Sequence, residues 1–107
     1  MSQYSLEGRV ALITGSSGGI GQACVRRFLD FGAIVILTYI EGLERPEVVL
    51  EKFDSADDIS IQPLDLNDFN SIEYCIKAAV KEYEHIDILV NNAAVGSATV
   101  SGFSDNV

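Results

Sequence analysis

The chain has 107 residues, 48% of them hydrophobic, and a formal net charge of −9 from 16 acidic and 7 basic side chains. This length suits one small domain with its own apolar core and leaves no room for a second domain. The acidic excess argues against duplex nucleic acid or a membrane surface as a partner, since both require clustered Lys and Arg, and no apolar run approaches the roughly 20 residues that span a bilayer.

The first two predicted elements flank a glycine-rich loop. The apolar run Arg9–Thr14 predicts a buried strand, and apolar residues at helical spacing from Ile20 to Phe31 predict an amphipathic helix. Between them, "TGSSGGIG" (Thr14–Gly21) forms a strand-to-helix corner, where the helix N–H groups and dipole attract an anion, most often phosphate. Such corners also serve tight packing without a ligand, so the loop alone leaves both interpretations open.

The rest of the chain alternates strands with helices. The predicted elements are a strand over Gly32–Tyr39, a short helix from Pro46, a strand over Ile59–Leu66, a helix with an apolar stripe from Ile72 to Tyr83, and a strand from Ile86. This alternation predicts an α/β fold with a parallel sheet covered by helices. Because Pro63 cannot donate to a strand ladder, the third strand is expected at an edge or to end there.

Polar clusters follow all four predicted strands: the glycine loop, "TYIEG", "DLND" and "NNAA". The carboxyl ends of parallel strands share one edge of the sheet, and ligands of such sheets bind there. The four clusters together therefore indicate a nucleotide site more strongly than the glycine loop does alone.

The cysteines and the single histidine bear on compartment and metal binding. Cys24 and Cys75 both fall on apolar helix faces, which favours free thiols over a disulfide or a metal pair and suits a reducing cytoplasm. With only His85 available, no histidine-based metal site or triad is predicted. The first nine residues lack the basic and apolar regions of a signal peptide, so we predict a cytoplasmic protein.

Three motifs resemble those of the short-chain dehydrogenases/reductases. They are Thr-Gly-x-x-x-Gly-x-Gly at Thr14–Gly21, an aspartate after the third strand at Asp65, and Asn-Asn-Ala at Asn91–Ala93, with Ala94 where that family usually has glycine. The resemblance covers essentially the entire chain. It implies a Rossmann-like doubly wound parallel sheet over residues 1–107, incomplete at its C-terminal end and with about four strands in the order 3-2-1-4.

The resemblance also implies a bound nicotinamide dinucleotide. The residues it assigns to cofactor binding are Gly15, Ser17, Gly19, Ile20, Gly21, Tyr39, Asp65, Leu66, Asn91 and Ala93. In that pattern Gly15 and Gly21 permit the turn and close helix packing, the Ile20 region presents N–H groups to phosphate, and the Ser17 hydroxyl meets the adenosine ribose. Asp65 accepts from the adenine amino group, although a carboxylate that only begins the next helix is the alternative. Thr14 and Asn92 are expected to tie the two loops together.

The family's chemistry requires a serine, a tyrosine and a lysine, the last two spaced Tyr-x-x-x-Lys. None of the four tyrosines has a lysine four residues later. The resemblance therefore implies the cofactor-binding half of an NAD(P)-dependent oxidoreductase acting on a carbonyl or secondary alcohol, with no catalytic residue in this chain and no activity of the chain alone. A non-catalytic module that binds a dinucleotide or a partner is the alternative.

The residues at the end of the second predicted strand bear on the choice between NAD and NADP. NADP is favoured over NAD because Tyr39 stands where NAD-preferring members have aspartate and Arg45 could reach a 2′-phosphate, although Glu41 and Glu44 oppose this. A full-length parent is expected to be a homo-oligomer with a small-molecule substrate. Since Asp87–Val90 would present an open strand edge, the chain alone is expected to self-associate or to need a covering partner.

Overall fold

A four-stranded parallel sheet forms the centre of the structure. The computed structural model describes residues 5–16, 18–53 and 57–92. The strands are β1 (Val10–Ile13), β2 (Ile34–Tyr39), β3 (Ile59–Pro63) and β4 (Ile88–Val90), arranged in the order β3-β2-β1-β4 with every neighbouring pair parallel. The predicted α/β class and strand order are confirmed. The third strand lies at the edge of the described sheet and ends at Pro63, as the missing N–H of this proline predicted, and does not continue to Leu66.

Helices cover both faces of this sheet, as a doubly wound fold requires. They are α1 (Gly19–Asp30), α2 (Pro46–Leu50) and α3 (Phe69–Tyr83). Alternate residues of β1 belong to different cores: Ala11 and Ile13 pack with residues of α1 and α2, whereas Val10 and Leu12 pack with residues of α3. The continuous apolar runs of the strands follow from this burial on two faces.

Helix α1 buries only part of the face that its apolar pattern predicts, because Cys24 and Phe28 pack against the core whereas Ile20 is exposed. Ile20 was expected on the buried stripe, but its side chain is 73% exposed, and the fully buried residues of α1 are Gly21 and Val25. The reason is that the helix begins with its glycine against the preceding loop, which turns Ile20 outward. Because glycine has no side chain, the spacing of apolar residues does not reveal that Gly21 lies on the buried face of the helix.

Helix α3 packs largely as predicted. The Asp68 side chain caps its first turn by accepting a hydrogen bond from the Asn70 N–H at 2.9 Å, and Glu84 ends it in the left-handed conformation with φ 73°. Cys75 and Ala79 are buried against β1 and β2.

Both cysteines are free thiols, as predicted. Cys75 is buried and Cys24 is half-buried, and they pack in the cores on opposite faces of the sheet. Burial raises the pKa of the Cys75 thiol.

The β4 strand pairs with β1 and leaves an apolar surface beside it. Leu89 is 62% exposed, and Ile76 and Val80 of α3 are also exposed. The two helix residues were predicted on the buried stripe of α3, and the structure corrects this because the described sheet does not extend beneath them. Self-association through this edge stays a prediction.

At the amino-terminal end of the sheet, Asp87 fastens β4 to β1. Its N–H donates to the Val10 carbonyl, and its Oδ2 accepts from the Val10 N–H, both at 2.8 Å. The carboxylate also lies 3.0 Å from His85 Nε2 and 3.5 Å from an Arg9 nitrogen. The hydrogen bond from Val10 is the largest influence that lowers the pKa of Asp87, followed by the charges of His85 and Arg9.

Candidate functional site

The polar segments after the four strands meet at one edge of the sheet. The Thr14 N–H donates to the Val90 carbonyl at 3.0 Å, which joins the segments after β1 and β4. The Leu64 N–H donates to the Tyr39 carbonyl at 2.9 Å, which joins the segments after β2 and β3. Strand pairing therefore brings together residues as distant in sequence as Thr14 and Val90, which are 76 positions apart.

The glycines of the loop after β1 have different structural roles. Gly15 has φ 69°, a conformation that glycine adopts at little cost. A Cβ added to Gly21 would lie 1.9 Å from the Gly15 carbonyl oxygen, whereas a Cβ added to Gly19 would meet no atom within 4 Å. Gly21 thus serves packing, while the backbone at Gly19 is open to close approach from outside. Tight packing is therefore shown at Gly21, and phosphate binding at Gly19 stays a prediction.

Side chains of Thr14 and Asn92 tie the two neighbouring loops together, as expected. Thr14 Oγ1 accepts from the Asn92 N–H at 2.9 Å, and Asn92 Nδ2 donates to the Gly15 carbonyl at 3.1 Å. Thr14 Oγ1 also donates to Asn91 Oδ1 at 3.3 Å. Asn91 is thereby held at the site edge, beside the glycine loop.

Ser16 is a supporting residue that sequence reasoning missed. It is fully buried, and its hydroxyl donates to the Ile13 carbonyl at 2.8 Å, at the point where β1 ends. The signal was its hydroxyl directly after a glycine turn, a place where serine commonly bonds to nearby backbone.

The N-terminus of α1 is the positive end of the helix dipole, and no acidic side chain lies in its first turn. That turn contains no Asp or Glu, and Gly18, the capping residue, has no side chain to occupy the N–H groups. Ile20, which is exposed, lies in this turn. Backbone N–H groups and the helix dipole are therefore available for an external anion above the open Gly19.

Asp65 lies in the turn between β3 and α3. Its N–H donates to Ser71 Oγ at 2.8 Å, and its Oδ1 accepts from the Asn67 N–H at 2.9 Å. Asp65 also lines a cavity of about 440 Å³ shared with Glu41 and Tyr74. The carboxylate both supports the turn and faces open space, so the two interpretations of this residue are compatible. Leu66 beside it is exposed.

The segment after β2 is acidic and internally bonded. Glu44 Oε1 accepts from the Ile40 N–H at 2.9 Å. Arg45 Nε lies 3.0 Å from Glu47 Oε1. The pKa of Glu47 is lowered, chiefly by a hydrogen bond from its own backbone N–H and also by Arg45. Tyr39, at the end of β2, packs its half-buried side chain against the core beneath α1 and α2.

Comparison with known proteins identifies the chain's family. Residues 9–106 match the family model described as short chain dehydrogenase. The chain belongs to this family. It is 38% identical over 95 residues to an uncharacterized oxidoreductase of Thermotoga maritima, covering 86% of this chain and 36% of that protein.

Two solved structures of related proteins resemble the fold. The chain superposes on 3-ketoacyl-(acyl-carrier-protein) reductase of Brucella melitensis, crystallised with NADH, with a TM-score of 0.73 and 34% identity over 86% of this chain and 36% of that one. It also superposes on the N-domain, with NADP, of a bacterial malonyl-CoA reductase. The TM-score is 0.71 and the identity 30%, over 83% of this chain and 17% of that one. The chain thus spans about a third of the length of the Thermotoga and Brucella proteins.

Within this short-chain dehydrogenase fold, most of the predicted cofactor residues lie at the shared strand edge. These are Gly15, Gly19, Ile20, Gly21, Asp65, Leu66 and Asn91. Tyr39 ends β2 at the same edge, with its side chain packed in the core. Ser17 and Ala93 lie outside the described residues. Among the helices of the described ranges, none combines the length and hydropathy needed to cross a membrane.

Proposed function

We propose that this short-chain dehydrogenase chain binds a nicotinamide dinucleotide for hydride transfer with a carbonyl or secondary alcohol substrate. The observation that carries the proposal is the contrast between Gly19 and Gly21. Gly21 packs without room for a side chain, which brings the start of α1 against the loop, while Gly19 leaves open backbone at its positive end. A pyrophosphate fits such a cradle because close approach brings it within reach of N–H groups.

Each proposed contact follows from the arrangement of the strand edge. The first turn of α1 binds the pyrophosphate, Asp65 accepts from the adenine amino group, and Asn91 borders the cofactor cleft. Ser17 and Ala93 are assigned to the ribose and the cleft by the family motif alone. When bound, the cofactor supplies the hydride chemistry.

The role proposed for these 107 residues is cofactor binding without turnover. No tyrosine precedes a lysine by four positions, and Lys77, three residues after Tyr74, pairs with Glu73 at 3.4 Å. A positioned acid or base contributes roughly 10²–10⁴-fold to a rate. For the whole protein we propose a homo-oligomer in the cytoplasm.

For the choice of cofactor we propose NAD rather than NADP. The sequence prediction of NADP depends on Tyr39 in place of an aspartate and on Arg45 reaching a 2′-phosphate. Arg45, however, forms an exposed ion pair with Glu47, and Glu41 lines the cavity beside Asp65. In water, a carboxylate about 6–8 Å from a dianionic phosphate costs about 1 kcal/mol, or about fivefold in affinity. The contacts of Arg45 and the acidic turn support NAD.

Titration calorimetry with NAD and NADP tests both proposals. The unmodified chain should bind NAD more tightly than NADP, and Gly19→Val should weaken both while leaving the fold intact. Glu41→Gln should improve NADP binding about fivefold relative to NAD binding. Glu82→Gln is the matched control, because it removes the same charge about 16 Å further along α3 from Ser71. Unchanged affinity in a folded Gly19→Val variant would refute the site, and tighter NADP binding by the unmodified chain would refute the choice of NAD.

A further inference from the structure

An exposed tyrosine lines the cavity next to Asp65. The cavity of about 440 Å³ lies between the ends of β2 and β3 and the first turns of α3. It is half open to solvent. Tyr74 is 63% exposed although it belongs to the helix that covers one face of the sheet. No part of the dinucleotide motif includes this residue.

Two hydrogen bonds fix Tyr74 relative to Asp65. The Asp65 N–H donates to Ser71 Oγ at 2.8 Å, which ties the end of β3 to the first turns of α3. The Asp68 carboxylate caps the same helix through the Asn70 N–H. Tyr74 comes three residues after Ser71 and therefore lies on the same side of the helix. Tyr74 and Asp65 therefore line the same cavity, and the hydrogen bond between Asp65 and Ser71 holds the two residues in a fixed relation.

The chemistry of the lining suits an amino-substituted aromatic base. Glu41, Asp65 and Asp68 contribute carboxylates, and no Lys or Arg lines the cavity. Carboxylates accept hydrogen bonds from an amino group and repel phosphate. Tyr74 supplies an aromatic face and Pro63 an apolar one. Any nucleobase can stack on an aromatic face, because stacking does not depend on the hydrogen-bonding groups of the base.

We propose that Tyr74 forms the aromatic wall of the adenine pocket and stacks on the base whose amino group Asp65 accepts. The inference rests on the proposed dinucleotide site and adds a residue of α3 to it. Stacking on an aromatic side chain changes affinity by about 5- to 150-fold when the ring is removed. Adenosine-containing ligands lose this contribution in a Tyr74→Ala variant, and ligands without adenosine do not.

The test measures binding of NAD, AMP and nicotinamide mononucleotide to the full 107-residue chain by calorimetry. Tyr74→Ala should weaken NAD and AMP by at least fivefold and leave nicotinamide mononucleotide unchanged. Tyr74→Phe keeps the ring and should retain the affinity. Phe69→Ala is the control, because Phe69 is an equally exposed aromatic of α3 that does not line the cavity. Thermal melting establishes that each variant is folded.

A second measurement needs no variant. In the unmodified chain with NAD bound, nuclear Overhauser contacts should join the Tyr74 ring protons to the adenine H2 or H8 proton. If the chain binds NAD but Tyr74→Ala binds it equally well, or if the contacts are missing, the Tyr74 inference fails while the proposed function stands. If the unmodified chain does not bind NAD at all, both fail.

Discussion

Replacing Gly21 with alanine should destabilise the fold, whereas the same replacement at Gly19 should not. A Cβ at position 21 would lie 1.9 Å from the Gly15 carbonyl oxygen, 2.8 Å from its carbon and 3.0 Å from Asn92 Nδ2. These neighbours are backbone atoms and a hydrogen-bonded amide, so α1 must move away from the loop. At position 19, the added Cβ meets no atom within 4 Å.

The magnitude follows from three opposing contributions. Overpacking costs about 1–3 kcal/mol and sometimes more, and losing the hydrogen bond from Asn92 to Gly15 adds about 0.5–1.5 kcal/mol. The better helix propensity of alanine returns at most about 1 kcal/mol. The expected net loss for Gly21→Ala is therefore about 0.5–3.5 kcal/mol. For a domain of about 100 residues, each kcal/mol corresponds to roughly 4–8 °C in Tm.

Thermal unfolding followed by circular dichroism measures the difference. Gly21→Ala should melt about 2–28 °C below the unmodified chain, and Gly19→Ala should melt at the same temperature or slightly above it. If neither variant melted below the unmodified chain, the loop and α1 would not be in the described contact. A comparable loss in both would show that Gly19 is a packing residue, which would remove the support for an open phosphate cradle.

Two further predictions concern titratable groups. Because the folded state lowers the pKa of Asp87, chiefly through the Val10 hydrogen bond, its contribution to stability is present above the unfolded pKa of about 3.9 and is lost as pH falls. Asp87→Asn should therefore be less stable at pH 7 and lose less stability on acidification, and parallel acid-unfolding curves for the two proteins would contradict this. Cys24, which is half-buried, should react with a thiol reagent in the folded chain faster than Cys75, whose burial raises its pKa. Mass spectrometry after brief labelling measures the order, and earlier modification of Cys75 would show that α3 opens readily.

The order of elements and the position of the site could be predicted from the sequence because they depend on local patterns. Continuous apolar runs identify strands buried on two faces, and glycine or polar residues after each run identify the shared edge. Pro63 correctly indicated an edge strand, because a proline has no N–H to donate to a second neighbouring strand, and this can be read from the residue itself. The contact between Thr14 and Asn92 was also predictable, since parallel pairing of β1 and β4 brings their ends together.

Features that depend on how elements pack could not be predicted in this way. The rotation of α1 is set by the fit of Gly21 against Gly15, so the exposure of Ile20 does not follow from the apolar pattern. The cavity beside Asp65 depends on where α3 crosses the end of β3, and Tyr74 looks like any surface tyrosine in the sequence. The pairing of Arg45 with Glu47 is likewise a tertiary detail, yet it bears directly on cofactor choice.

The charges at the strand edge favour the pyrophosphate of the proposed ligand at the start of α1 and not in the acidic cavity. The first turn of α1 contains no acidic residue, while the cavity between β2, β3 and α3 is lined by Glu41, Asp65 and Asp68. A dinucleotide has its negative charge in the central pyrophosphate and none on the adenine base. The pyrophosphate is therefore favoured over α1 and disfavoured in the cavity, and the base has the opposite preference.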